Sequence, residues 1–246
     1  IVTVYSSTDA LKIAKKNPSK EIVFLGVGFE TTIPTVAMSI LIAKREDIRN
    51  YSVLSAHKTM PEVLKVLVGD RRLEIDGFLL PGHVSTIIGS RPYRFLSDKY
   101  KKRCVVAGFE PLDIMQAILM LIEQKKPKIE IQYTRIINDS GNAVAKNIIK
   151  KVFDEARSVW RGIGPVDKSG LKIKNENSAL DAEKRFQIKT GPAKEHAGCI
   201  CGEVLKGIKT PNECRLFGKS CRPDVPVGSC MVSSEGTCAA YYRYKR

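Results

Sequence analysis

Residues 21–45 read EIVFLGVGFETTIPTVAMSILIAKR. Glu21 to Val27 is a near-continuous apolar run, the pattern of a strand buried in a parallel sheet. Gly28-Phe29-Glu30 then turns the chain, and Thr35 to Arg45 reads as a helix. The same strand–turn–helix order recurs on either side. Upstream, Ile1 to Tyr5 reads as strand, Ser6 to Asp9 offers N-caps, and Ala10 to Lys16 reads as helix, stopped near Pro18. Downstream, Tyr51 to Ala56 is strand and Pro61 to Val68 helix; Gly77 to Leu80 is strand and Ser85 to Tyr100 a helix broken near Pro92. Arg103 to Ala107 is strand, and Pro111 to Gln124 is a long helix with proline at its first turn. Repeated units of this kind predict an α/β protein with open, mostly parallel sheets and helices on both faces.

Beyond residue 126 the pattern changes. Lys128 to Ile137 reads as a strand. Ala143 to Trp160 reads as one amphipathic helix, with Ala145, Ile148, Ile149, Val152, Phe153, Ala156 and Val159 on a single stripe. Gly162 to Gly170 is turn-rich, and Leu171 to Lys174 suits a short strand. Residues 175–194 are polar and read as a linker, with a helical turn around Leu180 to Phe186. Three parts are therefore expected: a βα-repeat lobe at 1–126, a partial second α/β lobe with linker at 127–190, and a small cysteine-rich domain at 191–246.

With 246 residues, of which 43% are hydrophobic, the chain can bury a core. No apolar run approaches the roughly 18 residues of a membrane span, so a cytoplasmic protein is expected. The net charge is +15, but the basic residues are scattered and no basic stripe is interleaved with aromatics. Nucleic acid is accordingly not the expected partner; an acidic protein or an anionic ligand suits the charge equally well. The chain opens on Ile1, inside a strand-like run, as though an amino-terminal part were missing.

In open α/β sheets, ligands bind at the carboxyl ends of the strands. Those ends carry Gly28-Phe29-Glu30, His57-Lys58, His83 within Pro81-Gly82-His83-Val84-Ser85, and Gly108-Phe109-Glu110. A single histidine at such a place is more often a cap or a core residue than a ligand; two at one rim shift that balance. The run GVGFETT lacks the third glycine of a dinucleotide fingerprint, and Glu30 stands where a pyrophosphate would sit.

Six of the seven cysteines fall between Cys199 and Cys238: Cys199, Cys201, Cys214, Cys221, Cys230 and Cys238. Disulfides are one explanation, but they suit small secreted domains. Structural zinc is another, but it favours paired C-x2-4-C ligands, and here the one close pair is Cys199-Ile200-Cys201. An iron–sulfur cluster takes four thiolates from wider, irregular loops and would leave two cysteines over.

The spacing Cys199-x14-Cys214-x6-Cys221-x16-Cys238, with the tail PVGSCMVSSEGTCAAYYRY, resembles the iron–sulfur domain of the HypD family of [NiFe] hydrogenase maturation factors. GFETTIP, SAHK, GFLLPGHVSTIIG, AGFEPLDI and the QYTR…GNA stretch resemble the same family's upstream blocks, so the likeness covers nearly the whole chain. It implies two α/β lobes facing a cleft, the first incomplete here, with an iron–sulfur domain alongside. It implies a [4Fe–4S] cluster on Cys199, Cys214, Cys221 and Cys238, and leaves Cys201 and Cys230 as a dithiol or disulfide beside it. An Fe(CN)2CO moiety would be assembled with HypC-like and HypE-like partners. The PGHVS match would place His83 near the assembling iron; by their strand-end positions, Glu30, His57 and Lys58 are expected in the catalytic surroundings, with Glu30 and Glu110 positioning or neutralising Lys58. The family's CGTH-type and GPGCPVC-type motifs are absent from this sequence, and with them the cysteine expected to hold that iron. A disulfide reductase resembling ferredoxin–thioredoxin reductase and a zinc-stabilised binding module are the alternative readings.

Overall fold

The computed structural model describes residues 1–188, 191 and 195–245. In chain order the elements are α1 Ser7–Lys16, β1 Ile22–Gly28, α2 Ile33–Arg45, β2 Tyr51–His57, α3 Met60–Gly69, β3 Gly77–Pro81, α4 Gly82–Ile88, α5 Arg94–Asp98, β4 Arg103–Ala107, α6 Pro111–Glu123 and β5 Ile129–Ile131. They continue as α7 Ala143–Val152, β6 Phe153–Trp160, β7 Gly164–Ile173, α8 Ala182–Arg185, α9 Cys201–Leu205, α10 Ser229–Val232 and α11 Thr237–Tyr244. The fold is α/β with open parallel sheets. β1 pairs with β2 in parallel, from Ile22 opposite Tyr51 to Gly28 opposite His57. β3, β4 and β5 form a second parallel sheet, and β6 pairs with β7. The connection from Trp160 to Gly164 is too short for a parallel crossover, so that last pair is a hairpin.

The chain divides into two compact units. The first comprises Ile1–Leu64, Gly77–Ser158 and Asp167–Thr190; the second comprises Lys65–Asp76, Val159–Val166 and Gly191–Arg246.

The core of the first unit follows from helical spacing. Ala10, Leu11 and Ala14 on α1 and Ile33, Val36, Ala37, Ile40 and Ala43 on α2 recur at three- and four-residue intervals. They close over Tyr51 and Val53 of β2, together with Val152, Phe153, Leu171 and Ile173. Each fully buried aliphatic side chain contributes roughly 1.5–3 kcal/mol. The Tyr51 hydroxyl is buried with them and is satisfied by Ser39 Oγ at 2.8 Å. α6 rests on β3 and β4 through Ala117, with Ile114 and Leu121 half-buried. Its far side leaves Leu112, Met115, Leu119 and Ile122 exposed.

Several sequence expectations are corrected. Residues 1–5 form no strand; Ile1, Val2 and Tyr5 are exposed, and no described strand pairs with them. The helix expected to run to Trp160 stops at Val152, and Phe153–Trp160 is strand β6. Phe153 is buried, and from Glu155 on the residues alternate between exposed and half-buried, the two-residue period of a strand beside a partner. That partner, β7, starts at Gly164, within the stretch expected to be a turn-rich loop. The strand expected over 128–137 is confined to Ile129–Ile131. β1 is less buried than its apolar run implies: Val23, Leu25 and Val27 face outward and are exposed. Part of the expected linker over 175–194 lies outside the described residues; the described part holds a 3-10 turn at Asn175–Leu180 and then α8.

The second unit is held by short-range polar contacts around its cysteines. Asp70 receives both Arg72, at 3.0 Å, and Lys206, at 2.7 Å. Glu213 closes a capping box with Thr210 ahead of the 3-10 turn Pro211–Glu213. Phe217 meets the edges of Tyr241 and Tyr242, both at 5.9 Å.

Truncating the buried α2 core should cost far more than truncating the α6 outer face. Ile40→Ala is expected to lose about 2–5 kcal/mol, whereas Met115→Ala should change stability by less than about 0.5 kcal/mol. Urea titration of the two variants checks this.

Candidate functional site

The cysteines of the second unit come together although they are far apart in sequence. Cys201 opens α9, Cys230 lies on α10 and Cys238 on α11. Cys199, Cys214 and Cys221 sit on the intervening segments. Cys199, Cys201, Cys214, Cys221 and Cys238 line one closed space of about 10 Å³, completed by apolar side chains that include Val204, Phe217 and Met231. That is about the room of one water molecule. Neither a carboxylate nor a cationic side chain is among its lining residues.

Cys201 is the hub of the group. Cys199 Sγ lies 3.1 Å from Cys201 Sγ. The Cys230 and Cys238 thiols also hydrogen-bond to Cys201, so its own pKa is lowered while both of theirs are raised. Burial pushes Cys199 up to about 12. Cys221 Sγ accepts the backbone N–H of Val227 at 3.4 Å. Among the described residues, no three His, Cys, Asp or Glu side chains already surround a single metal-ion position.

Gly228 makes the closeness possible. A Cβ added there would lie 2.5 Å from both Cys199 Sγ and Cys201 Sγ. A side chain at this position would drive the two sulfurs away from the segment that covers them.

The first unit carries the strand-end residues, and the two histidines meet different fates. His57, opposite Gly28 at the end of β2, is buried. Its Nδ1 lies 3.1 Å from Ser55 Oγ, its ring meets Phe153 edge-on at 5.8 Å, and its Nε2 has no hydrogen-bond partner. Burial lowers its pKa from 6.5 to about 4, so the ring is neutral near pH 7. His83, on α4 just after β3, is exposed. Its ring stacks on Phe109 with centroids 4.6 Å apart and meets the edge of Tyr133 at 6.4 Å. Gly82 sets this up: a Cβ there would run into the Ala107 carbonyl at the end of β4.

Glu30 is buried. Its Oε1 accepts the Met60 N–H at 2.8 Å, its Oε2 has no partner, and desolvation raises its pKa. Lys58 Nζ donates to Ser158 Oγ at 2.6 Å, and burial lowers its pKa. Glu110 lies 3.8 Å from Arg135, which also pairs with Asp113 at 2.9 Å. Cys104 is fully buried on β4 with its pKa pushed up to about 12, the environment of a small core hydrophobe.

The model of the HypD family, described as the hydrogenase formation hypA family, matches residues 1–245. The chain belongs to this family. It is 45% identical to the hydrogenase maturation factor HypD of Rhodobacter capsulatus, over 98% of this chain and 66% of that protein. It is 44% identical to HypD2 of Bradyrhizobium diazoefficiens, over 99% of this chain and 67% of that one. It is 42% identical to a putative hydrogenase expression/formation protein of Methanocaldococcus jannaschii, over 99% and 68%. The chain thus spans about two thirds of the length of these HypD relatives. No helix among its described residues is long and apolar enough to cross a membrane.

The structure adds residues to this HypD-family chain that motif reading passed over. Gly228 stands against two sulfurs, and only the bare PVGSC string hinted at it. Phe109 supplies a stacking face for His83; its signal was the repeated GFE turn. Asp113 accepts Gln132 at 2.8 Å as well as Arg135, bracing the turn that carries Phe109.

His57 sets a pH dependence. Its folded-state pKa lies below the unfolded one, so between pH 6.5 and about 4 the unfolded chain takes up a proton that the native chain does not. This contribution to stability is complete above pH 6.5 and is lost as pH falls through that window, by about 3 kcal/mol in all. His57→Gln should flatten that part of the stability–pH curve, measured as urea midpoints between pH 7 and pH 4.

Proposed function

We propose that this chain serves [NiFe] hydrogenase maturation in the cytoplasm, as a redox-active scaffold on which an Fe(CN)2CO moiety is assembled. The observation that carries the reading is the space lined by Cys199, Cys201, Cys214, Cys221 and Cys238, four of which are the ligands that the resemblance implies. These four would hold a [4Fe–4S] cluster. The donor chemistry fits, with soft thiols, apolar neighbours and no competing charged side chain in the lining; the space of about 10 Å³ is smaller than a four-iron cube, so the thiols would have to move apart to admit one. When bound, such a cluster supplies electrons one at a time.

The protein's own groups account for the rest of the reading. Cys201 and Cys230 form a dithiol that stores two electrons and two protons, released together as a disulfide closes. Cys199, Cys230 and Cys238 all neighbour Cys201, and it is the family resemblance that singles out Cys230 as its partner. His83, exposed and oriented by Phe109, offers an imidazole nitrogen to the substrate iron. His57 and Glu30, both buried, shape the first sheet's strand ends from beneath, and Lys58 is held there by Ser158. The partners in this reading are a HypC-like chaperone and a HypE-like cyanide donor, in keeping with the names of the relatives as maturation factors.

Iron, sulfide and zinc content of anaerobically purified protein tests the reading. About four iron and four sulfide per chain, with absorbance near 400 nm, is the expected result. Cys214→Ser or Cys221→Ser should abolish that absorbance, whereas Cys201→Ser and Cys230→Ser should keep it and impair electron delivery. Zinc without sulfide would reject the cluster. Loss of the spectrum in Cys230→Ser would show that the six cysteines are divided differently.

A further inference from the structure

A second opening in the same unit lies against the sulfur pocket. It is a cleft of about 390 Å³, within the range of small-ligand sites. Cys199, Ile200, Cys201 and Gly228 line both this cleft and the closed sulfur space, so they form the wall between the two. Cys230 lines neither. The wall is thin because Gly228 brings only backbone against the two sulfurs. Gly202 faces Gly162 just as closely, for a Cβ on Gly202 would run into the Gly162 carbonyl.

The charged lining is set out unevenly. Arg72, Arg161 and Lys206 stand against Glu195 and Glu203. Glu195 is turned to the backbone, accepting the Gly162 N–H at 2.7 Å. Arg72 and Lys206 share Asp70. Arg161 donates through Nη2 to the Val227 carbonyl at 3.0 Å and is otherwise exposed. The cleft therefore offers a guanidinium near a route to Cys201.

Resting on the reading of Cys201 and Cys230 as a reducible pair, we propose that this cleft receives a carboxylate-bearing thiol that returns the oxidised pair to its dithiol form. The thiol would come from a small peptide or from a cysteine on an acidic protein segment. Its thiolate attacks Cys201 Sγ, the one sulfur of the pair that lines the cleft; access, and not leaving-group strength, selects it, because Cys230 lines neither opening. The Cys201–Cys230 bond breaks, and Cys230 leaves as a thiolate that takes up a proton. A second ligand thiol then attacks the ligand sulfur of the mixed disulfide, freeing Cys201 and closing one ligand disulfide. Two ligand thiols give up two electrons and two protons, and the protein pair receives both. Arg161 holds the ligand carboxylate and takes no part in the bond changes.

The test uses the full chain with the pair oxidised. Glutathione, neutral 2-mercaptoethanol and a synthetic acidic peptide with one cysteine serve as reductants, and released protein thiols are counted with time. Arg161→Glu should slow glutathione roughly three- to tenfold and leave 2-mercaptoethanol unchanged. Lys219→Glu, an exposed cation outside the cleft lining, should change neither rate. Mass spectrometry of the trapped intermediate should place the ligand on Cys201. An unchanged glutathione rate in Arg161→Glu, or a ligand trapped on Cys230, would overturn the docking site and leave the pair standing. A pair that cannot be oxidised at all would remove the underlying reading with it. A peptide rate well above that of glutathione would assign the source to a protein, and equal rates to the small thiol.

Discussion

Parallel register is the constraint on which the first unit depends. β1 and β2 stay in step from Ile22 opposite Tyr51 to Gly28 opposite His57, and β3 and β4 from Gly77 opposite Arg103 to Pro81 opposite Ala107. Because side chains alternate along a strand, a shift of one residue would turn every side chain to the other face. Tyr51 and Val53 would leave the α1–α2 core, and His57 would lose Gly26, whose missing Cβ makes room for its ring. The same register brings two GFE turns to the carboxyl ends of their sheets. In one, Glu30 is buried beneath the backbone of Met60; in the other, Phe109 is left outside to stack on His83. A repeated string thus acquires two roles from its surroundings.

The second unit solves a different problem. Its segments between cysteines are short of regular structure, and its core is made largely of sulfur. Buried thiols are weak hydrogen-bonding groups and behave as small hydrophobes. Their packing contributes to the interior of the unit while keeping soft donors close together. Phe217, Tyr241 and Tyr242 add the larger apolar surface that so small a core lacks. Stability and chemistry therefore draw on the same atoms.

Much of this was legible in the amino-acid order. β1, β2, β3 and β4 announce themselves as short apolar runs followed by helices, and the cysteines crowded between Cys199 and Cys238 come together in one sulfur-rich core. What was not legible depended on partners distant in sequence. Phe153 to Trp160 continues the stripe of α7, and only the presence of β7 decides that it becomes a strand. Both histidines stand at strand ends, yet Phe153 covers one and solvent reaches the other. Gly228 could not be recognised in advance, because its importance lies in the two sulfurs beside it and not in its own chemistry.

Cys104, the seventh cysteine, has its own consequence. It is fully sequestered in β4, and burial keeps its thiol protonated up to about pH 12. An alkylating reagent applied to the folded protein therefore meets a silent thiol there, whatever the redox state of the other six. Because Cys201, Cys221, Cys230 and Cys238 are buried as well, the label has to be located by peptide mapping. Labelling of Cys104 marks opening of the β3–β4–β5 sheet, independently of events at the sulfur pocket.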